Sequence, residues 1–259
     1  MNNSTQPLSV VVVGSGNVAE AVARAVADTW ALELKQVVAR NAERAAAIAE
    51  LCRTEWSDDF EKCEDADFYI IAVSDRAVAE VASQLRRAEG SIVVHTAGSV
   101  EMEALGGGAR GVLYPFQTFT VGRKVDFSDV PLFVEGCSEE VTQRIEILAQ
   151  ALSSRVYRAN SSRRREIHLS GVLACNFVPY IVYTDEHNNN IRLESNAILC
   201  QTVIKMICTV TCNTLDINLF HCVLLIFKDE LVYLEQDYNT ILENNYDFLE
   251  KIRQIRNKY

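Results

Sequence analysis

Hydrophobic positions up to residue 160 fall into short continuous runs separated by amphipathic stretches, a pattern that predicts strands and helices taking turns. The first run, Leu8-Ser9-Val10-Val11-Val12-Val13, is nearly unbroken rather than alternating, as expected of a strand buried on both faces of a parallel sheet. It ends at Gly14 and opens onto a helix through Ala21-Val22-Ala23-Arg24-Ala25-Val26. The order then repeats. A strand over Leu34–Ala39 precedes a helix over Ala42–Leu51, and a strand over Ala66–Val73 precedes a helix carrying Ala77, Val78, Val81, Ala82 and Leu85. Ser91–Val94, Gly111–Leu113, Pro131–Val134 and Ser154–Tyr157 read as further strands, the last two flanking a helix from Glu139 to Leu152. These elements predict an α/β domain over residues 1–160 with a doubly wound, mostly parallel sheet.

From Ser161 a new helix begins, with Arg163-Arg164-Arg165 read as a solvated face and Ile167 to Phe177 turning inward. It is taken to open a second domain, residues 161–178 being its first helix. Residues 179–259 form a divergent tail. Tyr180 to Asn196 is polar, while Ala197–Val210 and Ile217–Phe227 are apolar, β-branched and ambiguous between helix and strand. From about 228 to 259 the pattern is helical again: Leu231, Leu234, Tyr238, Ile241, Phe248, Ile252, Ile255 and Tyr259 recur in steps of three and four, with Asn245 in the remaining seam position.

Chemistry enters at the first strand-to-helix turn, Gly14-Ser15-Gly16-Asn17-Val18-Ala19. Gly14 permits the tight turn, Gly16 leaves bare backbone for a diphosphate, and Ala19 lets the helix lie close on the sheet. The free N–H groups of the helix start favour an anion there without a lysine. This is the spacing of a Rossmann dinucleotide site, and Gly14, Ser15, Gly16, Asn17 and Val18 are its predicted diphosphate cradle. At the end of the second strand, where an acidic residue would hold a ribose 2′-hydroxyl, stands Arg40 followed by Asn41. A guanidinium can clamp a 2′-phosphate instead, so the predicted cofactor is NADP rather than NAD.

The ends of the later strands place Val73, Ser74 and Thr96 beside the cofactor by topology, with Ser74 and Asp75 also readable as an ordinary helix cap. His95 at the same edge is either a proton donor near the nicotinamide or a hydrogen-bonded structural residue. In the loop Tyr114-Pro115-Phe116-Gln117-Thr118-Phe119, Gln117 and Thr118 are candidate substrate contacts, as is His95. His168 and Asn176, eight positions apart on a predicted helix, could flank one small molecule as acid/base and orienting group, or be buried, satisfied polar residues.

Composition narrows the partners. A formal net charge of −10 opposes binding to nucleic acid or to an anionic membrane. The eight cysteines include no C-x-x-C pair and suggest reduced thiols, with neither a metal site nor a disulfide framework. Met1 to Pro7 lacks the basic and apolar regions of a signal peptide, and Lys205 and Asp216 interrupt the apolar tail runs, so a cytoplasmic protein is expected. A change of style marks residue 177. All eleven glycines lie at or before Gly171, ten of sixteen asparagines lie after residue 177, and arginine outnumbers lysine 15 to 3 before that point but not after it, 3 to 4. Pro179 would break a continuing helix. The sequence therefore reads as a junction, by fusion, frameshift or rearrangement.

Residues 8 to about 177 resemble an uncharacterised Rossmann-type oxidoreductase family allied to deazaflavin-dependent NADP reductases and pyrroline-5-carboxylate reductases. The likeness rests on Gly14-Ser15-Gly16-Asn17-Val18-Ala19, Ala72-Val73-Ser74-Asp75, His95-Thr96-Ala97-Gly98-Ser99, Tyr114 to Phe119, and His168 through Ala174-Cys175-Asn176-Phe177. It implies an NADP-binding domain and an all-helical C-terminal domain like that of 6-phosphogluconate dehydrogenase, one that forms a homodimer and closes the substrate cleft. Relatives acting on hydroxyacids carry a lysine four positions before the helix asparagine; here Val172 stands there, which points to a small imine or another carbonyl-like substrate. Two functions follow: an NADP-dependent reductase, or a non-catalytic NADP-binding module lacking the closing domain.

Overall fold

The structure, a computed structural model, describes residues 6–120, 122–169 and 171–172. The chain divides into two compact units, Met1–Arg165 and Glu166–Tyr259. The first holds one eight-stranded sheet in the order β3-β2-β1-β4-β5-β6-β7-β8. Its strands are β1 (Leu8–Val13), β2 (Leu32–Val38), β3 (Glu55–Ser57), β4 (Phe68–Ile71), β5 (Ile92–His95), β6 (Arg110–Pro115), β7 (Leu132–Gly136) and β8 (Val156–Arg158). The α-helices are α1 (Asn17–Ala27), α2 (Ala42–Cys52), α3 (Val78–Gln84) and α4 (Glu139–Leu152). Strands β3 through β6 in that order are all parallel, β7 runs antiparallel to β6, and β8 runs parallel to β7. This is the doubly wound, mostly parallel Rossmann-type sheet that the sequence predicts.

The continuous apolar runs are explained by a core on each face. Val10 and Val12 face α1, α2 and α4, packing with Val22, Val26, Ile48, Ile145 and Leu148. Val11 and Val13 face the other way, with Val78 and Val81 of α3 and with Phe60, Tyr69 and Ile71. All four valines have no exposed surface, so a polar residue at any of them would lose hydration on one face or the other.

Two local features depart from the simplest pattern. Val10 pairs with Leu34 but Val11 with Gln36, so Lys35 is an extra residue in β2. The core-facing residues along β2 and just past its end are accordingly Leu32, Leu34, Val37 and Ala39, a spacing of two, three and two. Gln36 turns inward, donating from Nε2 to the Lys62 carbonyl (3.4 Å) and accepting at Oε1 from the Glu64 N–H (3.0 Å). The helix expected after the Ala66–Val73 run begins as a 3-10 turn over Asp75–Ala77, and Ser74 precedes it without a side-chain cap. The asparagine Asn41 and the serine Ser138 do cap α2 and α4, accepting from the Arg44 and Val141 N–H groups.

After β8 residues 161–169 are helical. The expectation that Arg163 to Arg165 form a solvated face is corrected at Arg164, which has no exposed surface. Its guanidinium donates to Glu135 of β7, to the Val100 carbonyl and to Ser161 Oγ. The Glu135 carboxylate also accepts the Ser161 N–H (3.0 Å) and hydroxyl (2.9 Å), so the buried charge pair is hydrogen-bonded on both sides. The composition junction near Phe177, the tail and its heptad-patterned helix lie outside the described residues.

Candidate functional site: a groove over the first helix

Because β1 lies between β2 and β4, the chain leaves its C-terminal end toward one side and returns from β3 to the other. Such a reversal opens a crevice beyond the strand ends. Here it is a groove of 770 Å³ whose lining includes Gly14 to Val18, Ala39 to Asn41, Phe60, Ala72 to Ser74, Gln117 and Phe119.

The glycine turn forms its floor, and the two glycines differ in what they require. Gly14 has φ +136°, and a Cβ there would lie 2.2 Å from the Ala72 carbonyl oxygen. The close approach of β1 to β4 thus admits no side chain. Its N–H donates to the Val38 carbonyl at 2.8 Å, fixing the turn to β2. Gly16 is exposed, and a Cβ there would meet nothing within 4 Å. It stands at the start of α1 with no side-chain cap. Bare backbone, an uncapped helix start and open space above it suit a diphosphate. Asn17 holds the opposite wall, donating from Nδ2 to the Phe119 carbonyl at 3.1 Å.

At the end of the groove beyond β2, Arg40 and Asn41 are exposed. The Arg40 guanidinium reaches Glu80 Oε1 at 3.3 Å, with the two side chains 61% and 54% exposed. Val73 and Ser74 line the groove, and Gln117 reaches it from the loop after β6. Gln117 Oε1 accepts the Thr118 N–H at 2.8 Å, while Thr118 itself is exposed and outside the groove lining.

The edge of β5 is more deeply placed than its sequence position suggests. Thr96 is buried and donates its N–H to the Ile71 carbonyl at 3.1 Å. His95 has no exposed surface, and its Nδ1 accepts the Ala97 N–H at 3.2 Å. Burial, reinforced by the nearby Arg164 charge, lowers its pKa to about 4, so the ring is neutral at physiological pH. Neither residue is part of the groove lining. Asp75, which follows Ser74, accepts the Ser99 hydroxyl and ties the loop after β4 to the loop after β5. His168 is half-buried on the helix over 161–169 and belongs to the unit that begins at Glu166. Asn176 lies outside the described residues.

Two contributors were missed by sequence reasoning. Phe60 joins the wall from a 3-10 turn over Phe60–Lys62, too short to show a periodicity, beside Phe119 of the aromatic loop. Arg44 donates from Nε to the Ser15 carbonyl (3.3 Å) and from Nη2 to Glu20 Oε2 (3.2 Å), joining α2 to the glycine turn. Its signal was its place three residues after the capping Asn41, in the first turn of α2. Among the described residues no group of three His, Cys, Asp or Glu could hold a metal ion. Burial pushes the Cys52 and Cys63 thiols up to about 11, which disfavours the thiolate that metal binding needs. No described helix is long and apolar enough to cross a membrane.

Residues 9–98 match the family described as NADP oxidoreductase, coenzyme F420-dependent, and residues 130–206 match a domain of unknown function, DUF2520. The second match runs on past Phe177. No curated protein matches the chain. Among solved structures, a candidate NADP oxidoreductase from Bacteroides fragilis is 27% identical, with 97% of each chain covered and a TM-score of 0.63. A protein from Thermotoga maritima is 18% identical over 96% of this chain and 97% of its own, with a TM-score of 0.57. A prephenate dehydrogenase from Aquifex aeolicus is 15% identical over 99% of both chains, with a TM-score of 0.58. The resemblance read from the sequence therefore holds, and the fold is that of nicotinamide dinucleotide oxidoreductases.

Proposed function

We propose that this chain is an NADP-dependent oxidoreductase acting on a small imine or carbonyl substrate. The observation that carries the reading is the groove floored by exposed Gly16 at the uncapped start of α1, with Arg40 at its far end. The likeness to NADP oxidoreductases supports it. When bound, the cofactor supplies a hydride to the substrate carbon, and the C=N or C=O heteroatom takes a proton. Gly14 to Val18 would hold the diphosphate, Val73 and Ser74 would flank the cofactor beside them, and Gln117 would face the substrate.

Arg40 is proposed to read the 2′-phosphate. Its present partner, Glu80, is exposed, and such surface pairs contribute only about 0–1 kcal/mol. A charge-assisted contact to phosphate is worth roughly 1.5–3 kcal/mol, so exchanging Glu80 for the phosphate is favourable. In a fluorescence titration, Arg40→Asp is expected to weaken NADPH by about 10- to 100-fold and NADH by far less. Gly16→Val, which fills the open space, is expected to abolish binding of both; unchanged NADPH affinity in that variant refutes the assignment.

A second reading is a non-catalytic NADP-binding module. One observation favours it: among the described residues the groove lining includes no His, Asp, Glu, Lys, Cys or Tyr, the usual proton-transfer groups. In the first reading such a group is His168. NADPH oxidation in the presence of a panel of imines and carbonyls, lost in His168→Ala, supports the reductase. Tight NADPH binding with no oxidation across the panel supports the module.

A further inference from the structure

We propose that Arg44 is a positioning residue for the dinucleotide diphosphate, acting through the Ser15–Gly16 peptide rather than by touching the 2′-phosphate. The inference rests on the reading of the glycine turn as a diphosphate cradle.

Arg44 has two anchors. Its Nε–H holds the Ser15 carbonyl at 3.3 Å, and its Nη2 holds Glu20 Oε2 at 3.2 Å. The other Glu20 oxygen is held by Arg24 at 3.2 Å. The guanidinium is thus fixed between α2 and the first turns of α1, with its charge opposed by a carboxylate that is only 15% exposed. Arg40, by contrast, is 61% exposed and, among the described residues, is paired with the solvent-facing Glu80.

The C=O and N–H of a trans peptide point in opposite directions, and no cis peptide occurs among the described residues. Holding the Ser15 carbonyl toward Arg44 therefore turns the Gly16 N–H away from it. Among the described residues that N–H donates to no protein acceptor. It sits at the exposed residue of the groove floor, where a Cβ would meet nothing within 4 Å. Releasing the carbonyl would let this peptide rotate, and a carbonyl oxygen facing the groove would repel a diphosphate where an N–H now attracts one. The clasp acts on the part of the cofactor that NADPH and NADH share. Arg40 acts on the part that differs.

The test is the affinity of the full chain for NADPH, NADH and ADP by isothermal titration, in wild type, Arg44→Ala, Arg44→Lys and Gly16→Val. Arg44→Ala is expected to weaken all three ligands by the same factor, about tenfold, leaving the NADPH-to-NADH ratio unchanged. Arg44→Lys is expected to recover little, because one ammonium on a flexible stem cannot reproduce the fixed fork. A loss confined to NADPH and restored by lysine would show that Arg44 reads the 2′-phosphate as a charge and would overturn the proposal. So would unchanged affinities in Arg44→Ala while Gly16→Val abolishes binding, and in that case the cradle stands without the clasp. Failure of wild type to bind any of the three, or normal binding by Gly16→Val, would overturn the cradle and the clasp together.

Discussion

Burial holds the His95 imidazole neutral, lowering its pKa from the ordinary value near 6.5 to about 4. Between those values the unfolded chain takes up a proton that the folded chain refuses. His95 therefore contributes its full stability above pH 6.5 and loses it progressively as pH falls to about 4, a change on the order of 3 kcal/mol. Urea denaturation as a function of pH should show this acid limb, and His95→Gln should flatten it. The position of His95 at a strand end was legible in the sequence, and its residue type suggested proton transfer. Its depth was not legible, because exposure there depends on the loop from Ala97 to Val100 and on Arg164, 69 positions later. Arg164 shows the same gap more sharply. Within an Arg-Arg-Arg run nothing marks the middle residue as buried; Glu135 and the Val100 carbonyl, both distant in sequence, single it out.

At the scale of elements, the connection from β7 to the helix over 161–169 rests on that ion pair. Arg164→Met would leave the Glu135 carboxylate, itself only 16% exposed, without its counter-charge. Removing one partner of such a pair costs about 3–5 kcal/mol. Chemical denaturation should record that loss. Adding Glu135→Gln should restore part of it, since an amide can still accept from Ser161 without carrying an uncompensated charge. Most elements were legible because long apolar runs and capped helices state their own boundaries: α4 is capped by Ser138, whose hydroxyl accepts the Val141 N–H at 3.2 Å, and ends at Leu152 as its pattern predicts. The strand β3 was not, since its three residues, exposed Glu55 and Trp56 and half-buried Ser57, carry no periodicity and pair with β2 at the sheet edge. The antiparallel direction of β7 was equally hidden, because a short apolar run does not record which way its neighbour points.

For the whole molecule, a cofactor that binds only the folded state must raise the unfolding temperature. At a concentration a hundred times Kd the stabilisation is about 2.7 kcal/mol, which for a chain of this length corresponds to a rise of roughly 5–10 °C. NADPH and NADH at equal concentration should separate in a thermal melt, with NADPH giving the larger shift and Arg40→Asp closing the difference. The groove floor was readable from Gly14 and Gly16 alone, but the groove as a whole draws residues from several separated segments, and its Phe119 and Gln117 wall depends on how the loop after β6 is tied to Asn17. The additional residue in β2 has a consequence for the same ligand. Lys35 offsets the strand's phase, so the valines that follow it meet β1 one position later than strict alternation would bring them. Were Lys35 deleted with the upstream pairing kept, Ala39, Arg40 and Asn41 would be drawn about 3.3 Å back along the strand. The proposed ability to tell a phosphorylated ribose from a plain one would then depend on an insertion five residues upstream of Arg40, the residue proposed to sense it.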